Sequence, residues 1–219
     1  MIQHSCSVFV HRPKVTLLLG ATLIALVVLT GALIPAHALA VDERWSAWMT
    51  DIYAGALRHL ALVFNYLGRG LGRALSLAAI GVALVLTRRW PALLAFAAAE
   101  ALTPLATNLL KHLVDRPRPP CAMLHAAGSS FPSGHASYAG ATAVALVLLF
   151  SRPGRLRLIW WSLAALAIAG MAWSRIYLQL HWLSDALAGA LLGVGVTLIS
   201  FAAVQLTWCG RAARRPAEA

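Results

Sequence analysis

Acidic residues are scarce. Seven Asp and Glu stand against 18 Lys and Arg in 219 residues, and charged residues of both signs make up only 11% of the chain. Soluble domains carry about a quarter charged residues, so an ordinary soluble globule is excluded. Cysteine is almost absent: Cys6, Cys121 and Cys209 lie far apart without metal-ligand spacing, which excludes a disulfide framework and a zinc site. No other Asp/Glu/His constellation has the look of a metal site, so neither a metal nor another cofactor is expected.

Apolar residues are what the chain has in abundance, at 60% of the total. They fall in six runs, at about residues 15–34, 71–87, 91–114, 135–150, 156–174 and 183–207. Each approaches the roughly 20 residues that carry a helix across a bilayer's hydrocarbon layer. The fold class expected is all-α: a polytopic membrane protein with six transmembrane helices. Residues 1–14 read as a cytoplasmic N-terminal segment, 15–207 as a single transmembrane domain, and 208–219 as a basic cytoplasmic tail. A net charge of +11 would point to nucleic acid in a soluble protein. In a membrane protein it reflects topology and a polyanionic ligand, so no nucleic-acid partner is expected.

Arg12 and Lys14, then Arg88 and Arg89, then Arg152, Arg155 and Arg157, and finally Arg211, Arg214 and Arg215 all fall on one side of this six-crossing scheme. By the positive-inside rule that side is the cytoplasm. Trp45, Trp48, Trp173 and Trp182 group near the opposite boundary, and Trp90, Trp160, Trp161 and Trp208 near the cytoplasmic one, as interfacial aromatic belts do. Between the first two crossings, Trp45, Trp48, Met49, Ile52, Ala56 and Leu60 recur at helical spacing and predict an additional helix, either interfacial or a partly buried connector. The first run, followed by Ala36-His37-Ala38, also resembles a secretory signal. At about 20 residues it exceeds the roughly 7–15 of such a segment, so it is read as a retained helix.

Ionisable groups near a bilayer are costly, and here they gather at three places on the extracytoplasmic side. The third crossing ends in Lys111 and a proline-stiffened stretch holding Arg118. The fourth begins Pro132-Ser133-Gly134-His135, where Ser133 is a good N-cap and the first backbone N–H groups form an anion site. The fifth and sixth are joined through Arg175, His181 and Asp185. His181 and Asp185 are four apart, so on a helix the carboxylate would accept the imidazole N–H and leave the other nitrogen as nucleophile or base. Each cluster alone has a bland reading as interfacial charge or helix cap. Together they meet the needs of phosphoryl transfer: cations and N–H donors (Lys111, Arg118, Arg175, Ser133, Gly134), a nucleophile (His181) and an acid (His135).

These three stretches resemble the signature of the type-2 phosphatidic acid phosphatase superfamily, which shares its site with vanadium haloperoxidases. K-x6-R-P is met by Lys111, Arg118 and Pro119, P-S-G-H by Pro132 to His135, and S-R-x5-H-x3-D by Ser174, Arg175, His181 and Asp185. The resemblance implies metal-independent hydrolysis of a phosphate ester or diphosphate through a phosphohistidine. In that scheme His181 attacks phosphorus, Asp185 orients it, His135 protonates the leaving oxygen, and Lys111, Arg118, Ser133, Gly134 and Arg175 hold phosphate. It further implies a membrane-lipid substrate met at the outer face of a bacterial inner membrane. Undecaprenyl diphosphate is narrowly favoured over phosphatidylglycerol phosphate and phosphatidic acid. A lipid A phosphatase or phosphotransferase, and a non-catalytic lipid-binding or transport protein, remain as alternatives, and oligomeric state is open.

Two further features concern packing. Glu100, Thr103, Thr107, Asn108 and Lys111 share a helix face expected to point into the bundle, with Glu100 roughly 16 Å below Lys111 and assigned a structural role. Gly189 and Gly193 follow Asp185 at intervals of four, which predicts close approach of a neighbouring helix.

Overall fold

A computed structural model describes residues 9–52, 54–151 and 154–209. Cys6, Arg152, Arg211, Arg214, Arg215 and most of the two terminal segments lie outside the described residues. Within them the chain is all-helical: α1 (Pro13–Leu33), α2 (Ala40–Asp51), α3 (Gly55–Leu67), α4 (Gly70–Leu86), α5 (Trp90–Val114), α6 (Gly134–Phe150), α7 (Arg155–Tyr177) and α8 (Leu183–Val204), with a π-helical turn at Gln205–Cys209. The helices α1, α5, α7 and the last one are each long and apolar enough to cross a membrane, and α3 with α4 forms a fifth, bent candidate. Apolar α6 has 17 residues, a rise of roughly 25 Å.

The region between the first two apolar runs differs from the single extra helix expected there. Two helices form, α2 and α3, and α3 runs into α4 through a 55° bend. The bend falls at Gly68-Arg69-Gly70, where Gly70 takes φ +57°, a left-handed conformation that L side chains rarely adopt.

The most buried helix is α8, which packs against α1, α5 and α6. Small residues permit this. A Cβ on Gly140 of α6 would lie 2.5 Å from the Ala190 carbonyl oxygen, and one on Gly20 of α1 would lie 2.7 Å from that of Gly195. Cβ atoms on Gly189 and Gly193 would run into the carbonyl oxygens of Ser133 and Ser137. The glycines below Asp185 thus bring the backbone of α8 directly against that of α6.

One end of the bundle carries the basic pairs. Arg89 donates to the Leu149 carbonyl at 2.8 Å, and Gln205 accepts the N–H groups of Phe9 and Val10. The opposite end receives the C-termini of α5 and α7 and the N-termini of α6 and α8, which brings the three predicted clusters together.

Two face assignments change. Asn108 is exposed, whereas Glu100, Thr103 and Thr107 are buried, because a step of 800° from Glu100 carries position 108 off their face. Glu100 accepts from Arg73 at 3.2 Å and from Thr142 at 2.7 Å, and the Arg73 guanidinium stacks 3.6 Å above the Tyr138 ring. Its role is that of a tie among α4, α5 and α6. Trp182 leaves the aromatic belt: it is buried, with its indole N–H donated to the Pro117 carbonyl at 3.0 Å.

Candidate active site

A cavity of about 310 Å³ opens at this end, lined by His135, His181, Arg118 and Arg175 from the predicted set, with Asn65, Arg69 and His125 beside them. That is space for roughly ten water molecules. The loop after α5 begins with Asp115 in a left-handed C-cap, which turns the chain so that Arg116 and Arg118 point into the protein.

His181 sits between α7 and α8 and is buried. Its Nδ1 lies 2.8 Å from the Ser130 carbonyl oxygen. A carbonyl only accepts, so Nδ1 carries the proton and Nε2 the lone pair. Nε2 faces Arg118 Nη1 at 3.2 Å. Burial, and then the nearby Arg118 and Lys111 cations, push the imidazole pKa well below its usual value, which keeps the ring neutral.

The expected hydrogen bond from His181 to Asp185 is not made. Asp185 Oδ2 stands 4.0 Å from Nδ1, and Ser130 comes between them, with its carbonyl on the imidazole and its hydroxyl on Asp185. The reason is local: only Leu183–Val204 is α-helical, so His181 lies before the helix and the i,i+4 geometry does not apply. Asp185 instead accepts the Trp182 N–H at 3.0 Å, as an N-terminal carboxylate does, and faces Arg116 at 2.6 Å.

Arg118 is held by carbonyl groups. It donates to Leu180 at 2.7 Å, Gly128 at 3.0 Å, Ala127 at 3.2 Å and Ser129 at 3.3 Å, and burial lowers its pKa. Lys111 Nζ donates to the same Ser129 carbonyl at 2.6 Å. Arg175 is buried at the end of α7, donating to Asn65 Oδ1 at 2.8 Å and to Ser174 Oγ at 3.1 Å. Ser133 is the residue before α6, but its side chain makes no capping bond. Its backbone N–H instead donates to the Asp185 carbonyl at 2.9 Å and so ties the two helix starts together. Gly134 and His135 form the first turn of α6.

Three buried polar atoms at this site find no protein partner: Ser133 Oγ, His135 Nε2 and Arg175 Nη2. Leaving them so is costly in a folded protein; a ligand rich in acceptor oxygens satisfies the Ser133 hydroxyl and the Arg175 N–H, and His135 Nε2 as well once that ring is protonated. Among the described residues, no three His, Cys, Asp or Glu side chains gather as metal ligands.

Sequence reasoning missed Ser130, Asn65, Arg116 and Asp42. Asn65 anchors Arg175 from 110 positions away, and Arg116 joins Asp42 to Asp185. The one available signal was Arg116 itself, a second arginine among the prolines beside Arg118.

Two solved structures share this architecture. The transmembrane PAP2-type phosphatidylglycerolphosphate phosphatase from Bacillus subtilis is 22% identical, with a TM-score of 0.65 over 95% of this chain and 100% of that one. LpxE from Aquifex aeolicus is 23% identical, with a TM-score of 0.60 over 74% of this chain and 95% of that one. Among curated proteins, none matches the sequence. The model of the PAP2 superfamily matches residues 92–209, a stretch that holds His135, His181, Lys111, Arg118, Arg175 and Asp185. With Arg118, His135, Arg175 and His181 of its signature lining one cavity and more than half its length matched, this chain belongs to the PAP2 superfamily.

Proposed function

We propose that the protein is a membrane-lipid phosphatase that cleaves a phosphate monoester or diphosphate without a metal ion, through a phosphohistidine on His181. The observation that carries this reading is the set of partnerless buried atoms, Ser133 Oγ, His135 Nε2 and Arg175 Nη2, beside a neutral imidazole whose lone pair lies on Nε2.

In the first step Nε2 attacks phosphorus and the bond to the lipid-side oxygen breaks. That oxygen leaves with a proton from Nε2 of His135, which serves as acid in its imidazolium form, a form the negative charge of the bound phosphate favours. In the second step water attacks the phosphohistidine, gives a proton to His135, and releases phosphate while Nε2 regains its lone pair. Arg118, Arg175, Ser133 and the Gly134 N–H hold the equatorial oxygens. Lys111 reaches this group through the Ser129 carbonyl and adds positive charge at the rim. Asp185 acts through Ser130 to hold the imidazole.

The site lies at the end opposite Arg12, Lys14, Arg88, Arg89, Arg155 and Arg157, which by the positive-inside rule supports an outward-facing site; the setting we propose is a bacterial inner membrane. Residues 15–207 then form one transmembrane catalytic domain with short cytoplasmic ends at 1–14 and 208–219. A lipid tail stays in the bilayer while its headgroup enters the cavity. Undecaprenyl diphosphate is the favoured substrate, because an outward-facing site suits a carrier released on that side. Phosphatidylglycerol phosphate and phosphatidic acid are the comparison substrates.

The test is phosphate release from these three lipids in detergent with excess chelator, comparing wild type with His181→Ala and His135→Ala. Turnover is expected to survive chelation, to be fastest with the diphosphate and to vanish in His181→Ala. Loss of activity on chelation would overturn the metal-free reading.

A further inference from the structure

Behind the imidazole lies a buried ionic chain of which the mechanism above uses only Asp185; its other members, Arg116 and Asp42, have no part there. Arg116 is two residues from Arg118 but turns away from the cavity, and its side chain is 1% exposed. Its Nη1 lies 2.6 Å from Asp185 Oδ1 and 2.8 Å from Ser184 Oγ, and its Nη2 lies 2.8 Å from Asp42 Oδ2. Asp42, from α2, is 0% exposed and also accepts the Ser184 N–H and hydroxyl, each at 2.9 Å. The Arg116 backbone belongs to the same frame. Its carbonyl accepts the N–H of Ser130 at 2.7 Å, and Ser130 in turn holds His181 Nδ1 and the Asp185 carboxylate.

Three buried charges are an expensive way to pack a helix end, since apolar residues of similar volume often serve stability as well or better. Their sign gives them a use. Arg116 paired with Asp185 alone would be neutral and would cancel the carboxylate's field at His181. With Asp42 on its far side, the chain of three keeps one negative charge behind an imidazole that faces Arg118, Lys111 and Arg175 on its other sides. A ring phosphorylated on Nε2 with its Nδ1 proton retained is cationic, so this charge is needed most when the covalent intermediate forms.

We propose that Asp42 and Arg116 are positioning residues for phosphoryl transfer: Arg116 fixes Asp185 and the Ser130 turn against His181, and Asp42 offsets the Arg116 charge so that Asp185 acts on the imidazole as an anion. This rests on His181 being the nucleophile. It assigns α2 a part in the chemistry although α2 does not line the cavity.

The test compares full-length Arg116→Gln, Asp42→Asn and Arg116→Lys with wild type in detergent. Folding is monitored by size exclusion and thermal melting, and kcat, KM and the acid limb of kcat/KM are measured with the same lipid. Arg116→Gln leaves two uncompensated carboxylates, and its acid limb is expected to move to higher pH. Asp42→Asn leaves a neutral pair, and its limb is expected at or below the wild-type position. Both are expected to lose roughly 10- to 100-fold in kcat with KM within about threefold. Arg116→Lys, which keeps the charge, is expected to return the limb to the wild-type position and recover part of kcat. A merely structural role would not separate the acid limbs of two folded variants. Coincident limbs, or a loss carried by KM, would overturn the proposal.

Should either neutral variant fail to fold, Arg116→Lys and Asp42→Glu decide: wild-type kcat in both would overturn it. Acid-labile phosphate labelling separates this failure from that of the parent reading. An unlabelled wild type whose turnover survives His181→Ala removes the nucleophile itself. Wild-type labelling rates in Arg116→Gln and Asp42→Asn remove only the positioning role.

Discussion

The cavity has two unlike walls. On one side α6 and α8 meet backbone to backbone, with no room for a Cβ at Gly189 or Gly193, and the residues that surround His181 and Asp185 are buried and hydrogen-bonded into one frame. On the other side α3 and α4 bend by 55° and leave Leu60, Val63, Tyr66, Leu67 and Arg69 exposed, with the Asn65 side chain reaching across to Arg175. The family match starts at residue 92 and so covers the first wall and not the second. The difference teaches a division of labour. Atoms that must hold position within fractions of an ångström sit where two backbones touch, and the other side is built from a bent pair tied in by side chains, Asn65 to Arg175 and Arg73 to Glu100.

That division is broken most directly at its centre. His181→Ala is expected to lower phosphate release by at least about 10³-fold on every substrate. A residual rate above a tenth of wild type would show that the rigid wall does not carry the chemistry. Next in size is a contrast of equal insertions. Gly193→Leu drives a side chain into the Ser137 carbonyl, whereas a Cβ at Gly81 of α4 meets nothing within 4 Å. The first is expected to lose about 100-fold in kcat and about 1–3 kcal/mol of stability, and the second to stay within about threefold of wild type, as read by turnover and thermal melting. Gly189→Leu should follow Gly193→Leu; normal turnover in either, with normal folding, would reject close α6–α8 packing as a requirement.

A smaller effect is expected on the open wall. Asn65→Ala removes the partner of Arg175 Nη1, and KM is expected to rise roughly tenfold with a lesser fall in kcat. A loss in kcat alone would move Asn65 to the rigid side. The smallest change concerns pH. Because burial and then Arg118 and Lys111 hold the His181 pKa well below its usual value, its nucleophilic form persists as pH falls below about 6.5. The acid limb of kcat/KM assigned to His181 is expected below that point, and Arg118→Gln, which removes one of those cations, is expected to raise it. A limb at or above about 6.5 in the wild type would contradict the buried, cation-faced imidazole.

The helices were legible wherever hydrophobicity ran long enough. The six apolar runs fall on α1, α4, α5, α6, α7 and α8, because a bilayer or a bundle interior rewards any such run in the same way. The α2–α3 break and the α3–α4 bend were not legible, since Trp45, Met49 and Leu60 keep a helical period across a chain that nevertheless turns. At the site, residue types with unmistakable chemistry were readable, as Arg175, His181 and Asp185 show. Their partners were not. A serine such as Ser130 has no special spacing, and Asp42 belongs to no motif.

The order of residues thus determined on its own that this chain is a helical membrane protein and which side chains have the right chemistry to handle phosphate. Both follow from properties each residue carries locally: hydrophobicity along a run, and charge or nucleophilicity at a motif. Only the tertiary structure decided that Ser130 stands between His181 and Asp185, and that Arg116 reaches Asp42, 74 positions away. Such contacts depend on how whole helices converge, and no local spacing encodes that convergence.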